Sequence, residues 1–99
     1  MRVKDAKEII TKMEPGETVQ TLGNGKIPNV HGPGLLTISC EHDYDTGKKV
    51  YYYTISDTHW DKGVWRAVGG RRGGVISQNE AIKMLATYGR SRNQVKIIE

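Results

Sequence analysis

Three groups of side chains in this sequence have types and spacings that suit chemistry. The first joins histidine to carboxylates: Glu41, His42, Asp43 and Asp45 lie together, and so do Asp57, His59 and Asp61. Imidazole and carboxylate together suit a divalent cation. The two sets belong to opposite ends of one expected hairpin, about 20 Å apart at the usual rise per strand residue, so they do not form one site. His31 falls at the same end as His59 and Asp61, which leaves a His31–His59–Asp61 cluster as the metal arrangement to weigh. Aspartates in turns more commonly bond their own backbone. Nowhere does a nucleophile stand beside a base in the pattern that covalent catalysis needs. The expectation is therefore a chain with no catalytic residue, no metal ligand and no cofactor.

The second group is Gly69 to Gly74, which reads GGRRGG. Four glycines ahead of a helix let backbone N–H groups approach an anion, and paired arginines grip phosphate or carboxylate through two donors at once. The spelling is neither that of a nucleotide P-loop nor that of a dinucleotide-binding turn. Val75 and Ile76 also separate the last glycine from the helix start. A flexible loop kept in solution by arginine is the plainer reading.

The third group sets aromatic rings among cations: Tyr52, Trp60 and Trp65 beside Lys62, Arg66, Arg71 and Arg72, with Arg90 and Arg92 further on. Rings interleaved with guanidinium groups on an open sheet can stack bases while the cations hold phosphates. The competing reading buries both tryptophans in the core, and it is stronger for Trp65.

The elements that must position these groups are legible in part. Val3, Ala6, Ile9, Ile10 and Met13 recur at helical spacing, which predicts a helix over 3–13, stopped by Glu14-Pro15-Gly16. Residues 17–22 lean towards strand, and Asn24-Gly25 suits a tight turn into a returning segment at 26–30 that Pro28 demotes to an edge or a loop. LLTISCEH and KKVYYYTIS flank a Tyr44–Gly47 loop whose last residue is a glycine. A four-residue loop pairs Leu36 with Ile55, Ile38 with Tyr53 and Cys40 with Tyr51. That register gathers the apolar side chains on one face, whereas a one-residue slip mixes them. Cys40 is then a core residue. Residues 57–62 read as a turn and 63–68 as the third strand of a meander over 35–68. Ser77 with Glu80 spells a capping box for a helix over 77–88, and Gly89 stands where a left-handed terminator is wanted. A short strand at 94–98 follows. Together these predict one α+β domain over 1–99: a twisted antiparallel sheet with an N-terminal hairpin, packed by an early and a late helix.

Composition narrows the function. The 99 residues carry a net charge of +4 and a single cysteine, which excludes an internal disulfide. No apolar run approaches the ~20 residues of a membrane helix, and no signal-peptide pattern is visible, so a cytoplasmic protein without a membrane partner is expected. Residues 1–49 balance their charges, so the whole positive excess lies in residues 50–99, mostly as arginine. That asymmetry favours an anionic partner. The expected function is a small basic non-enzymatic binding protein that docks Arg66, Arg71, Arg72, Arg90, Arg92, Lys62, Trp65, Tyr52 and Trp60 onto nucleic acid, DNA or RNA. The alternative is a protein-binding inhibitor or accessory subunit, of the kind mobile elements encode, that meets an acidic protein surface.

Overall fold

Loop length sets the register of the central hairpin. In the computed structural model, which describes residues 1–98 and every side chain there except those at positions 70 and 71, strand β2 (Leu35–His42) pairs antiparallel with β3 (Lys49–Asp61). Leu36 faces Ile55, Ile38 faces Tyr53 and Cys40 faces Tyr51, the register the hydrophobic pattern requires. The loop closes through the Asp43 N–H on the Lys48 carbonyl at 2.9 Å and the Gly47 N–H on the Asp43 carbonyl at 2.7 Å. Gly47 takes a φ of +71°, the left-handed geometry that glycine adopts without a Cβ penalty.

Strand β1 (Thr18–Leu22) continues the sheet on the far side of β2, and β5 (Lys96–Ile98) joins it antiparallel. Strand β4 (Val64–Ile76) pairs with β3, giving the order β4-β3-β2-β1-β5. Helices α1 (Val3–Thr11) and α2 (Gln78–Tyr88) pack against each other and cover one face. The core between them and the sheet contains Ala6, Ile10, Met13, Val19, Leu36, Ile38, Cys40, Tyr51, Ile55, Ala81, Ile82 and Leu85. The domain is α+β with an antiparallel sheet, and Cys40 is fully buried, so burial pushes its thiol pKa up. Ser77 caps α2 in the expected box: its hydroxyl accepts the Glu80 N–H, and the Glu80 carboxylate accepts the Ser77 N–H, both at 3.1 Å.

Several boundaries differ from expectation for local reasons. Helix α1 ends at Thr11, not 13: the Met13 N–H donates to the Ile10 carbonyl one residue short of the helical partner, the Glu14 N–H is taken by the Glu17 carboxylate, and Pro15 has no N–H; Val3 is exposed, while Met13 still packs in the core. Asn24-Gly25 makes no hairpin turn. Asn24 instead bonds the end of α2, its backbone N–H on the Tyr88 carbonyl and its side-chain amide on the Thr87 carbonyl, both at 2.9 Å. Residues 26–30 are loop, so the hairpin of β1 and β2 is closed by the whole stretch 23–34, with Ile27 turned into the core. Gly89 is extended, not left-handed, and its glycine is needed for space: a Cβ there would sit 2.6 Å from the Leu85 carbonyl oxygen. The final segment spends Arg92–Gln94 on a 3-10 turn, which shortens the expected 94–98 strand to 96–98.

The largest departure is β4. Residues 57–62 are not a turn; β3 runs on to Asp61, and the reversal is the two-residue Lys62-Gly63 with φ values of +49° and +88°. GGRRGG is not a loop at a helix start either, since it lies inside β4, with Gly73 opposite Thr54 and Gly74 opposite Tyr53. A Cβ on Gly73 would meet the Tyr53 carbonyl oxygen at 2.6 Å, so these glycines serve close strand approach. Gly69, at φ +113°, marks the bulged region where the register against β3 shifts twice.

Truncating Ile38 to alanine removes a fully buried side chain from the sheet centre and is expected to cost about 2–5 kcal/mol, whereas Ser77→Ala should cost about 1 kcal/mol through loss of the cap. Urea unfolding of the two variants checks the ranking.

Candidate binding surface on the projecting ribbon

Strand β2 ends opposite Ser56, so β3 and β4 continue past it as a two-stranded ribbon closed at Lys62-Gly63. The domain is correspondingly long, 44 × 26 × 23 Å. An isolated two-stranded ribbon is barely stable in water. Here the loop 23–34 supports its base. The Thr58 N–H and hydroxyl both donate to the His31 carbonyl, at 2.9 and 3.0 Å, and the same hydroxyl accepts the Gly34 N–H at 3.2 Å. The His31 N–H donates to the Asp57 carboxylate at 3.0 Å. Gly32, at φ +67°, lies so close that a Cβ would sit 2.8 Å from the Trp65 ring.

Trp60 and Trp65 are cross-strand partners beyond that clamp. Their rings meet edge to face, with centroids 5.2 Å apart and planes at 69°. The Thr58 N–H points away from β4, so the Thr58–Ala67 pair, and by alternation Trp60–Trp65, is one without mutual backbone bonds, where side chains come closest. Such a pair contributes about 0.5–1.5 kcal/mol beyond area burial. Trp60 nevertheless stays 55% exposed and Trp65 36%, so neither is a core residue.

The expected cations do not converge with these rings. Alternation along β3 puts Tyr52 and Trp60 on the face away from the helices, and Ile55 and His59 on the other. Arg66 faces His59 and Arg72 faces Ile55, so both arginines stand on the opposite face from the tryptophans. Arg66 pairs with Asp61 at 2.9 Å, and Arg72 donates to the Pro28 carbonyl at 2.8 Å. Arg90 donates to the Gly23 carbonyl at 2.9 Å, fixing the start of the loop. Arg92 reaches α1, where it bonds Glu8 and lies 3.4 Å from Asp5. Lys62 is exposed at the turn, and Tyr52 is exposed in the middle of the uncovered face, across from Val75. The side chain of Arg71 lies outside the described residues. The single arginine–aromatic surface expected from the sequence is therefore divided between two faces and two ends of the molecule.

The acid–histidine material is likewise spread. Asp61 is taken by Arg66 and Asp57 by the His31 backbone. Among the described residues no three His, Cys, Asp or Glu side chains are grouped to hold a metal ion. The ribbon itself is the feature that sequence reasoning missed. Its signal was present in the near-symmetric placing of Trp60 and Trp65 about Lys62-Gly63, hidden because Lys-Gly is not a common spelling of this turn. No protein-family model, curated protein or solved structure matches the chain.

Glu8 titrates in a defined direction. Its bond to Arg92 and the neighbouring positive charge hold its carboxyl below the usual range. A depressed folded-state pKa contributes stability that is present above the unfolded value and lost as pH falls through the folded one. Unfolding of wild type should therefore lose stability on acidification below about pH 4.5. Arg92→Ala should remove part of that slope, as read from urea midpoints across pH 3–7.

Proposed function

We propose that the chain is a non-catalytic binding module that works through the β3–β4 ribbon and recognises a protein surface bearing carboxylates. The carrying observation is the exposed Trp60–Trp65 pair on a ribbon held out from the body. Tryptophan is enriched among the hot-spot anchors of protein interfaces, because it buries much area while losing few rotamers. Lys62, exposed at the turn beside the pair, would set orientation by charge. The internal bonds of Arg66, Arg72, Arg90 and Arg92 spread these cations over separate places, so they do not line up as the row of phosphate contacts a duplex backbone takes, whereas a protein anchored by the tryptophans needs no such row.

Nucleic acid is the second reading. It is favoured by one observation: a two-stranded ribbon has the width that the major groove of a duplex admits, and the positive excess of the chain lies in the same half.

Affinity capture from the native host with and without nuclease separates the two. A stoichiometric protein partner that survives nuclease and loses about 30-fold in affinity with Trp60→Ala supports the protein reading. Nuclease-sensitive capture with steep weakening between low and moderate salt would transfer the assignment to nucleic acid. Circular dichroism of the Trp60→Ala protein should show the fold retained.

A further inference from the structure

Strand β4 is thirteen residues long, lies at one edge of the sheet and contains no proline. Such an edge is a template for another strand unless it is blunted. The bulged region around Gly69 divides it into a distal half on the ribbon and a proximal half, Arg72–Ile76, against the body. In the proximal half the direction of each backbone group can be assigned. The Asp43–Lys48 bond makes the odd-numbered residues of β2 and the even-numbered residues of β3 mutually bonded partners. Odd-numbered β3 residues therefore bond β4, through Ile76, Gly74 and Arg72. Gly73 and Val75 are left with their N–H and C=O groups pointing out of the sheet edge. No loop or helix bonds these backbone groups among the described residues.

The two faces beside that edge differ. Arg72 stands on the helix side, whereas Val75, 69% exposed, stands on the uncovered side beside Tyr52. Gly73 and Gly74 put no side chain over the backbone between them, which lets a second backbone approach. Strand β4 carries three arginines and no carboxylate. A second copy paired edge to edge would offer Arg72 no carboxylate, only a strand of the same positive charge. An acidic strand would be attracted instead.

We infer that residues 72–76 of β4 are a strand-addition site for an extended segment of a partner protein that carries carboxylates on the Arg72 side and β-branched apolar residues on the Val75 side. The segment extends the sheet through the Gly73 and Val75 backbone groups, which supply affinity, while the alternating side chains supply selectivity. This rests on the reading of the chain as a protein-binding module and adds the mode of engagement.

The probe is a blocked seven-residue peptide alternating glutamate with valine, titrated into 15N-labelled full-length protein, with lysine replacing glutamate in the control peptide. The expected result is saturable shifts at the Gly73 and Val75 amides, with their hydrogen exchange slowed about tenfold. Val75→Pro removes an outward N–H that the sheet does not use, and it should abolish the shift and protection at Gly73 with the fold intact. Arg72→Glu, which leaves the backbone unchanged, should weaken binding of the glutamate peptide and not of the lysine peptide. Shifts confined to Trp60 and Trp65 would overturn the edge site while leaving the ribbon reading in place. Absence of any shift up to millimolar peptide would overturn it too. Protection of the same amides that rises with protein concentration alone would replace the acidic segment with a second copy.

Discussion

The hydroxyl and N–H of Thr58 both donate to the His31 carbonyl, and the hydroxyl also accepts from Gly34, so one residue joins the loop 23–34 to the point where β3 leaves the shelter of β2. Strand β3 is much longer than β2, and its outer half would otherwise run on with one edge in water. The clamp lets a loop take the place of a third strand. Everything distinctive about the molecule lies beyond it: the Lys62-Gly63 reversal, the tryptophan pair and the distal half of β4. Buried Thr58 makes its bonds fully, and among the described residues no buried side-chain polar atom lacks a partner. That matters because an unpaired buried hydroxyl at such a junction costs about as much as the clamp supplies.

The loop is itself fixed at several points along its length. Its start is tied to the end of α2 by Asn24 and by Arg90 on the Gly23 carbonyl, Ile27 enters the core, and Pro28 accepts from Arg72. Twelve residues without helix or strand are thus held to the domain, because their backbone groups find partners on the helix, on β4 and on β3 in turn. The same bonds account for much of the basic character of the second half of the chain. Arginines 72 and 90 hold the loop, and Arg92 holds the C-terminal segment to α1 through Glu8 and Asp5.

This use of arginine changes how the composition should be read. A net charge of +4 concentrated in one half is an argument about long-range attraction to anions, and it stays valid at a distance. It does not specify a docking face, because the guanidinium groups of Arg66, Arg72, Arg90 and Arg92 each have a local partner at hydrogen-bond distance, and the tryptophans stand on the other face of the ribbon from Arg66. Exposed aromatic area and unsheltered backbone on β4 are the features on which the proposed docking rests. In that proposal electrostatics would govern approach and orientation, and the aromatic and backbone contacts would govern how long a complex lasts.

Periodicity and turn chemistry in the sequence were sufficient for the central hairpin, its register, the left-handed Gly47, the burial of Cys40 and the capping box at Ser77. Each depends on residues close in the chain and on a two-fold or 3.6-fold pattern that has one self-consistent solution. Local spelling misled at Asn24-Gly25 and at GGRRGG. A turn signature and a glycine run describe what the backbone tolerates, whereas the state it takes depends on which distant groups need bonding. Asn24 was claimed by the carbonyls at the end of α2, and the glycine run by the open side of β3, where lack of side chains permits close pairing with Tyr53 and Thr54. Only the tertiary structure decided where the arginines point, since a long flexible cation is positioned by whichever acceptor folding brings within reach.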